Sequence, residues 1–483
     1  MLFNSIDFAI FSPIVFALYW FVANKNLKLQ NFLIVAASYF FYGWWDWRFL
    51  SLILFSTIID YTIGQKLRVE ENETKRKVLL WSSILLNLGF LGFFKYYNFF
   101  LDNFITAFSF FGTEINANSL NIILPVGISF YTFQTLSYTI DIYKRKLEPT
   151  NDIIAFSAFV SFFPQLVAGP IERATNLLPQ FYKKREFNYA KAVEGLRQIL
   201  WGLFKKIVIA DNCALYANEI FNNSSDYTGS TLFMGAIFFT FQIYCDFSGY
   251  SDIAIGTSRL FGFNLKQNFA FPYFSRDIAE FWRRWHISLS TWFRDYLYIP
   301  LGGSRGGKWN KIRNVFIIFI ISGFWHGANW TFIIWGALNA LFFLPLLLTK
   351  KNRNNLEVVA QGRVLPNLKE LFSILLTFSL TVFAWVFFRA ENLSHAVQYI
   401  LDVFKNPGSF LLLSNYTAYA FTINLLVVFL LLEWLGRLEP FALSKMFNIK
   451  SPLIRKSLYM VLTIIILFEF SSNPPQEFIY FTF

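Results

Sequence analysis

Two of the three histidines in this chain are the first candidates for chemistry, because imidazole can take up and return a proton near neutral pH; the third, His395, is predicted to be an ordinary loop or helix-end residue. His326 stands in the stretch SGFWHGANW, with long apolar segments on both sides. A general base there would contribute about 10²–10⁴-fold to a rate. Gly323 and Gly327 are predicted to let a substrate approach the backbone closely. The alternative is a packing histidine whose ring bonds the carbonyl groups that these glycines leave exposed.

His286 is the second candidate, in the stretch FWRRWHISLSTWFRDYLYIPLGG from Phe281 to Gly303. A helical face is predicted there, because apolar residues recur at i, i+4, i+8 and i+11. These residues are Phe281, Trp285, Leu289 and Trp292. The alternative is an interfacial helix whose arginines, Arg283, Arg284 and Arg294, hold lipid phosphates.

Two carboxylates lie in an apolar environment in QIYCDFSGYSDIAIG, namely Asp246 and Asp252. Buried carboxylates need partners, and the nearby arginines are the predicted ones. A structural or tunnel-shaping role is favoured for both aspartates, with a catalytic role as the alternative. Gln165, in FFPQLVAGPI, is predicted to lie on a re-entrant turn or short broken helix, where it could contact substrate.

Several catalytic motifs are absent from the sequence. It has no Walker A loop, no GxGxxG, and neither HExxH nor CxxC. A bound metal is therefore not expected, and Cys213 and Cys245 are predicted to be small buried apolar residues. The chain also lacks an obvious serine nucleophile of its own.

The composition predicts the elements that position these residues. Of 483 residues, 55% are hydrophobic and only 15% are charged, against about 25% charged in soluble domains. Long apolar runs recur from end to end and predict a polytopic all-α membrane protein with roughly 10–12 crossings. The cleanest runs are Asp7 to Val22, Asn31 to Phe41, Val78 to Phe94, Leu371 to Phe388, Thr422 to Leu435 and Leu458 to Phe470.

The lysines and arginines behind the net charge of +12 lie between the apolar runs. Because they do not gather on one soluble face, they argue against nucleic-acid binding. Basic loops such as Lys66 to Lys77 and Lys350 to Arg363 are typical of the cytoplasmic side. No linker or repeat divides the chain, so one integral-membrane domain, 1–483, is predicted. Its middle, about 124–339, is interrupted by Gly and Pro, which predicts broken helices around a buried or wet site.

Five stretches resemble the membrane-bound O-acyltransferase (MBOAT) superfamily, in its bacterial branch of alginate O-acetylation and teichoic acid D-alanylation proteins. They are SFYTFQTLSYTIDIY, FFPQLVAGPI, FQIYCDFSGYSDIAIG, FWRRWHISLSTWFRDYLYIPLGG and GFWHGANWTFIIWG. The resemblance implies a helical bundle around a tunnel, with the family's catalytic histidine at His326 and its second polar site residue at His286. Arg283, Arg284, Trp325, Asp246, Asp252 and Gln165 are then candidate substrate-binding residues.

The resemblance also implies the reaction and the partners. An acyl group, most simply acetyl, would pass from a cytoplasmic thioester (acetyl-CoA, or an acyl carrier protein) to an extracytoplasmic polysaccharide. The implied location is the bacterial cytoplasmic (inner) membrane, with membrane lipid around the helices and an SGNH-type esterase-like partner outside. Three alternatives stay open: D-alanyl transfer to teichoic acid from a carrier protein, a transporter or flippase, and a scaffold that only recruits a secreted acetylase.

Overall fold

The computed structural model describes residues 1–112, 115, 117–405, 413–444, 449, 451–472 and 476–481. All regular structure in these residues is helical. The α-helices are α1 (Ile6–Ala17), α2 (Leu27–Asp46), α3 (Leu50–Val69), α4 (Glu73–Leu91), α5 (Tyr97–Phe110), α6 (Ile128–Tyr143), α7 (Ile153–Ser161), α8 (Phe163–Leu166), α9 (Ala174–Leu177), α10 (Tyr189–Leu203), α11 (Asp211–Asn222), α12 (Gly229–Leu260), α13 (Ile278–Arg284), α14 (Ile287–Phe293), α15 (Lys308–His326), α16 (Trp330–Leu348), α17 (Leu368–Arg389), α18 (Leu393–Lys405), α19 (Leu413–Gly436) and α20 (Pro452–Ser472).

Five helical stretches in the described part are long and apolar enough to cross a membrane. They are Glu73–Phe110, Gly229–Leu260, Trp330–Leu348, Leu368–Arg389 and Tyr419–Gly436. The all-α polytopic prediction is therefore confirmed, although five is fewer than the predicted 10–12. Helices α2 and α3 have a similar length but are not among the five. They contain buried polar residues such as Gln30, Asn31 and Asp60.

The chain divides into two compact units, residues 1–192 with 257–266 and residues 193–256 with 267–483. In the first unit, α3 and α4 pack on α6, and α2 packs on α7. In the second unit, α16 packs against both α15 and α17. The grouping of all 483 residues into one integral-membrane domain stays a prediction.

The tightest helix pair in the second unit is α15 with α16, joined by only three residues. A Cβ on Gly323 would clash with the carbonyl oxygen of Phe332, and one on Gly336 would clash with that of Phe319. A Cβ on Gly327 would strike the Phe332 ring. The prediction that Gly323 and Gly327 admit substrate is therefore wrong, because these glycines let two helices approach each other.

The middle of the chain is only partly broken into short helices, and the predicted break at QIYCDFSGYSDIAIG is wrong, because α12 runs through its glycines without interruption. Helices α8 and α9 have four residues each, and α13 and α14 have seven each. The continuous helical face predicted over Phe281, Trp285, Leu289 and Trp292 is interrupted at His286, whose φ of 43° is left-handed. All four apolar residues are nevertheless buried, so the pattern identified the buried side chains but not the break.

Candidate active site

His326 is the last residue of α15 and is 3% exposed. Four rings surround its imidazole: the centroid distances are 4.8 Å to Trp325, 5.2 Å to Trp335, 5.2 Å to Phe388 and 5.7 Å to Tyr480. The helix ends here because Gly327 has an extended backbone and α16 starts three residues later. His326 is thus fixed at a helix end, inside an aromatic enclosure.

His286 lies in the same enclosure, at the break between α13 and α14, and is 1% exposed. Its ring centroid is 4.7 Å from that of Phe247 and 6.1 Å from that of Trp325. Phe247 in turn lies 4.4 Å from Tyr480. Both histidines predicted from the sequence therefore border one set of rings, called the aromatic cluster below: Phe247, Trp325, Trp335, Phe388 and Tyr480.

The protonation of His286 follows from its burial. This residue lies outside the five membrane-spanning stretches, and desolvation lowers its pKa to about 3. The imidazole is therefore neutral at physiological pH and can only exchange hydrogen bonds, not attract an anion by charge.

Tyr480 was not predicted as a site residue. It belongs to a short 3₁₀ turn, Ile479–Phe481, near the end of the chain. The Ile479 N–H donates to the Asp246 carboxylate at 2.8 Å, and Lys206 donates to the Gln476 carbonyl at 3.1 Å. The aromatic run EFIYFTF after two prolines was the available signal, but it is too short to span a membrane.

The buried aspartates pair with two consecutive lysines in a π-helical turn, Phe204–Ala210. The Asp252 carboxylate lies 2.6 Å from the Lys205 ammonium, and that of Asp246 lies 2.9 Å from Lys206. Lys206 is also 2.8 Å from Asp211. The predicted pairing of the aspartates with arginines is therefore wrong, because the lysines are nearer and equally buried.

The three arginines of the His286 segment have other partners. Arg284 pairs with the buried Glu280 at 2.9 Å, and Arg294 pairs with its neighbour Asp295 at 2.7 Å. Arg283 donates to the carbonyl oxygens of Asn352 and Asn355. Arg283 and Arg284 thus hold loops in the described structure, and their contact with substrate stays a prediction.

One cavity, of about 250 Å³, follows α15 towards His326. Val315, Ile318, Phe319 and Ser322 line it from one face of that helix, and His326 is the next residue on this face, one turn beyond Ser322. Apolar side chains make up most of its wall, with polar groups at Arg294, Tyr298, Ser304, Asn352 and Arg353.

A second cavity, of about 610 Å³, lies past the C-terminal end of α15, where Asn329 lines it. Phe388, which contacts the His326 ring, forms part of its wall together with Phe332. Its remaining lining is mainly polar or charged: Asn218, Gln242, Asn329, Arg389, Glu391, Gln476 and Glu477. His326 is consequently adjacent to residues of both cavities, to Ser322 of the mostly apolar one along α15 and to Phe388 of the polar one.

Gln165 lies in the first unit, on α8, and is 4% exposed. Its side-chain amide donates to Gln134, whose own amide donates to the Phe159 carbonyl. This places Gln165 in a buried hydrogen-bonded pair, and its contact with substrate stays a prediction.

Comparison with known proteins adds to this geometry. The family described as "MBOAT, membrane-bound O-acyltransferase family" matches residues 144–387. The chain is 42% identical to a probable alginate O-acetylase of Pseudomonas aeruginosa over 82% of this chain and 73% of that protein. It is 36% identical to a peptidoglycan O-acetyltransferase of Helicobacter pylori, over 82% of this chain and 79% of that protein. It is 27% identical to a teichoic acid D-alanyltransferase of Bacillus subtilis, over 57% of this chain and 71% of that protein.

Proposed function

Because the chain belongs to the membrane-bound O-acyltransferase family and is an acyltransferase, we propose that it moves acetyl groups from a cytoplasmic thioester across the membrane. The acetyl group serves O-acetylation of an extracytoplasmic polysaccharide. His326 is the general base, and His286 orients a substrate in the same enclosure.

The position of His326 beside residues that line both cavities is the observation that carries this proposal. The mostly apolar cavity along α15 suits an acyl group and part of a thioester arm. The polar cavity beyond the helix suits a hydroxyl-rich acceptor. Two substrates that enter from these cavities would meet at the imidazole.

The chemical step needs only these groups. His326 takes the proton of the acceptor hydroxyl while its oxygen attacks the thioester carbonyl. The carbon–sulfur bond then breaks, and the proton passes from the imidazolium to the departing thiolate. Only a neutral acetyl group changes sides, so the charged carrier never enters hydrocarbon, where charge is costly.

Acetyl-CoA is the proposed donor, with an acyl carrier protein as the alternative. Arg294 and Arg353 line the first cavity and supply cations for the phosphate that both donors carry. The relatives named for O-acetylation are 36–42% identical to this chain, and those named for D-alanylation 27–28%. This difference favours acetyl over D-alanyl transfer.

The proposed surroundings are a membrane and an external partner. The protein lies in the bacterial cytoplasmic membrane, with lipid around the apolar helices. An extracytoplasmic SGNH-type esterase-like protein is the proposed partner, because the serine of the GxSxG match at 302–306, Ser304, bonds the Tyr298 hydroxyl at 3.0 Å rather than a histidine. Such a partner would take the acetyl group from the acceptor that is acetylated at His326 and transfer it to the polymer.

The donor cavity is tested by filling it. Ile318→Trp places an indole in the cavity, whereas Ile321→Trp places one on a 40% exposed position of the same helix. Purified protein in lipid vesicles is given labelled acetyl-CoA, and acceptor-dependent release of free CoA is measured. We expect a loss of about tenfold or more for Ile318→Trp only. Equal rates in both variants would overturn the donor assignment, and export of intact acetyl-CoA would support a transporter.

A further inference from the structure

The conformation of His286 needs support from its surroundings. Its backbone angles, φ 43° and ψ 54°, are left-handed. This conformation is unfavourable for a residue other than glycine, because its Cβ comes too close to the following carbonyl oxygen. Neighbouring groups must therefore hold the residue in place.

Asn268 supplies that support, from an extended segment of the second unit. Its backbone carbonyl accepts the Ile287 N–H at 2.9 Å, and its side-chain Oδ1 accepts the Ser288 N–H at 3.2 Å. The segment is tied a second time where the Ala270 N–H donates to the Arg284 carbonyl at 2.9 Å. Asn268, which is fully buried, thereby binds the first two amide groups of α14.

The same oxygen determines which nitrogen of His286 carries the proton. The Asn268 Oδ1 lies 3.2 Å from the His286 Nδ1. The orientation of the amide is fixed, because the Ser288 backbone N–H can only donate and must face an oxygen. On the other side, the Asn268 Nδ2 donates to the Ser251 hydroxyl at 3.2 Å.

The Ser288 hydroxyl does not change this assignment. It has one proton, and its distance to the Asn268 Oδ1 is 2.8 Å, against 3.5 Å to the His286 Nδ1. The hydroxyl therefore donates to Oδ1. The His286 Nδ1 faces an acceptor and must carry a hydrogen itself.

We infer that Asn268 is a positioning residue that fixes His286 in the Nδ1–H form, with Nε2 as a hydrogen-bond acceptor. This inference rests on the proposed function for its consequence in the reaction. An accepting Nε2 cannot donate to the oxyanion that forms on the thioester carbonyl. It can accept from a hydroxyl, so His286 orients the acceptor, for instance through a second hydroxyl of a sugar diol, while His326 takes the reacting proton.

The tautomer can be observed directly, without any substrate. Protein with ¹⁵N-labelled histidine rings is placed in lipid vesicles, and the His286 nitrogen signals are assigned by their loss in His286→Gln. We expect the signals of an Nδ1-protonated ring in the wild type and in Asn268→Asp, which keeps the accepting oxygen. Asn268→Leu should give a mixture of tautomers. A wild-type ring protonated on Nε2 would overturn the inference.

A matched control is Asn314→Leu, which also removes a fully buried amide. That amide donates to the carbonyls of Leu301 and Gly303 and has no contact with His286. It should leave the His286 signals unchanged. If both leucine variants alter these signals equally, the effect is general loss of structure and not positioning.

Acetylation of polymer in cells that lack the native gene then tests the consequence. We expect Asn268→Leu to lower acetylation about tenfold or more per unit of membrane protein, with Asn268→Asp in between. In a His286→Ala background, Asn268→Leu should cause no further loss. If Asn268→Leu lowers acetylation in the His286→Ala background by the same factor as in the wild type, positioning through His286 is refuted. Expected tautomers with full acetylation in every variant would instead refute the role of His286 in the reaction, and no acetylation by the wild-type protein would refute the proposed function.

Discussion

The carboxylate of Asp246 accepts the backbone N–H of Ile479 at 2.8 Å, although 233 residues separate them in the chain. The other oxygen of Asp246 pairs with Lys206. This buried ion pair therefore also anchors the C-terminal turn that places Tyr480 beside His326. The aspartate that sequence reasoning treated as a possible binding residue acts here through a segment far along the chain.

Tyr480→Ala should lower acetylation about tenfold or more, because it removes a ring that contacts both His326 and Phe247. Phe481→Ala is the matched control, since its ring contacts Phe478 and not the histidines. Acetylation per unit of membrane protein compares the two. Equal acetylation by both variants would show that the C-terminal turn has no specific role at the site.

Arg284→Ala should destabilise the protein more than Arg363→Ala. Arg284 pairs with Glu280, whose side chain is 1% exposed, whereas the Arg363 side chain is 50% exposed. Arg276 still pairs with Glu280 in the variant, so the cost should stay below the roughly 3–5 kcal/mol of a fully unpaired buried charge. The exposed pair should contribute about 0–1 kcal/mol. Melting temperatures in detergent that do not differ would contradict this ranking.

Gly323→Ala should lower the free energy of unfolding by about 1–3 kcal/mol, because its Cβ would press on the carbonyl of Phe332 in α16. Gly89→Ala provides the comparison, because a Cβ added to this helical glycine would meet no atom within 4 Å. That change should be neutral or stabilising by up to about 1 kcal/mol. Thermal melting of the two variants is the measurement, and a stabilised Gly323→Ala protein would argue against close α15–α16 packing.

The loops Lys66 to Lys77 and Lys350 to Arg363 should face the cytoplasm, because both are basic and short enough for the positive-inside bias to act. Cysteines at the exposed positions Glu71 and Asn354 report this in whole cells. Asn72 is less suitable, since its side chain caps α4. Neither cysteine should react with an impermeant reagent until the cells are opened. Labelling of either one in intact cells would reverse the topology.

Part of the site could be predicted because histidine is rare in apolar sequence. His286 and His326 stand out among three histidines in 483 residues, and the structure brings both to the aromatic cluster. The short helices α8 and α9 follow from the Gly and Pro residues beside them, whereas the break at His286 has neither residue nearby. These signals are local, so residue type and spacing are enough to find them.

The missed features depend on contacts between distant residues. Nothing local indicates that Lys205 and Lys206, in a short basic pair, lie buried against Asp252 and Asp246. Gly323 admits a neighbouring helix, which spacing cannot distinguish from a substrate. Tyr480 reaches the site through a segment whose backbone is bound by Asp246 and Lys206.

The central claim is that His326 is the general base, and its replacement tests this most directly. His326→Ala should lower polymer O-acetylation by about 10²-fold or more in cells that lack the native gene. His286→Ala should lower it less, and His286→Asn should restore part of that loss through its amide. Abundance in the membrane fraction and melting temperature, both near wild type, exclude loss of folding. Near-normal acetylation by a well-folded His326→Ala protein would contradict the assignment and favour a scaffold that recruits a separate acetylase.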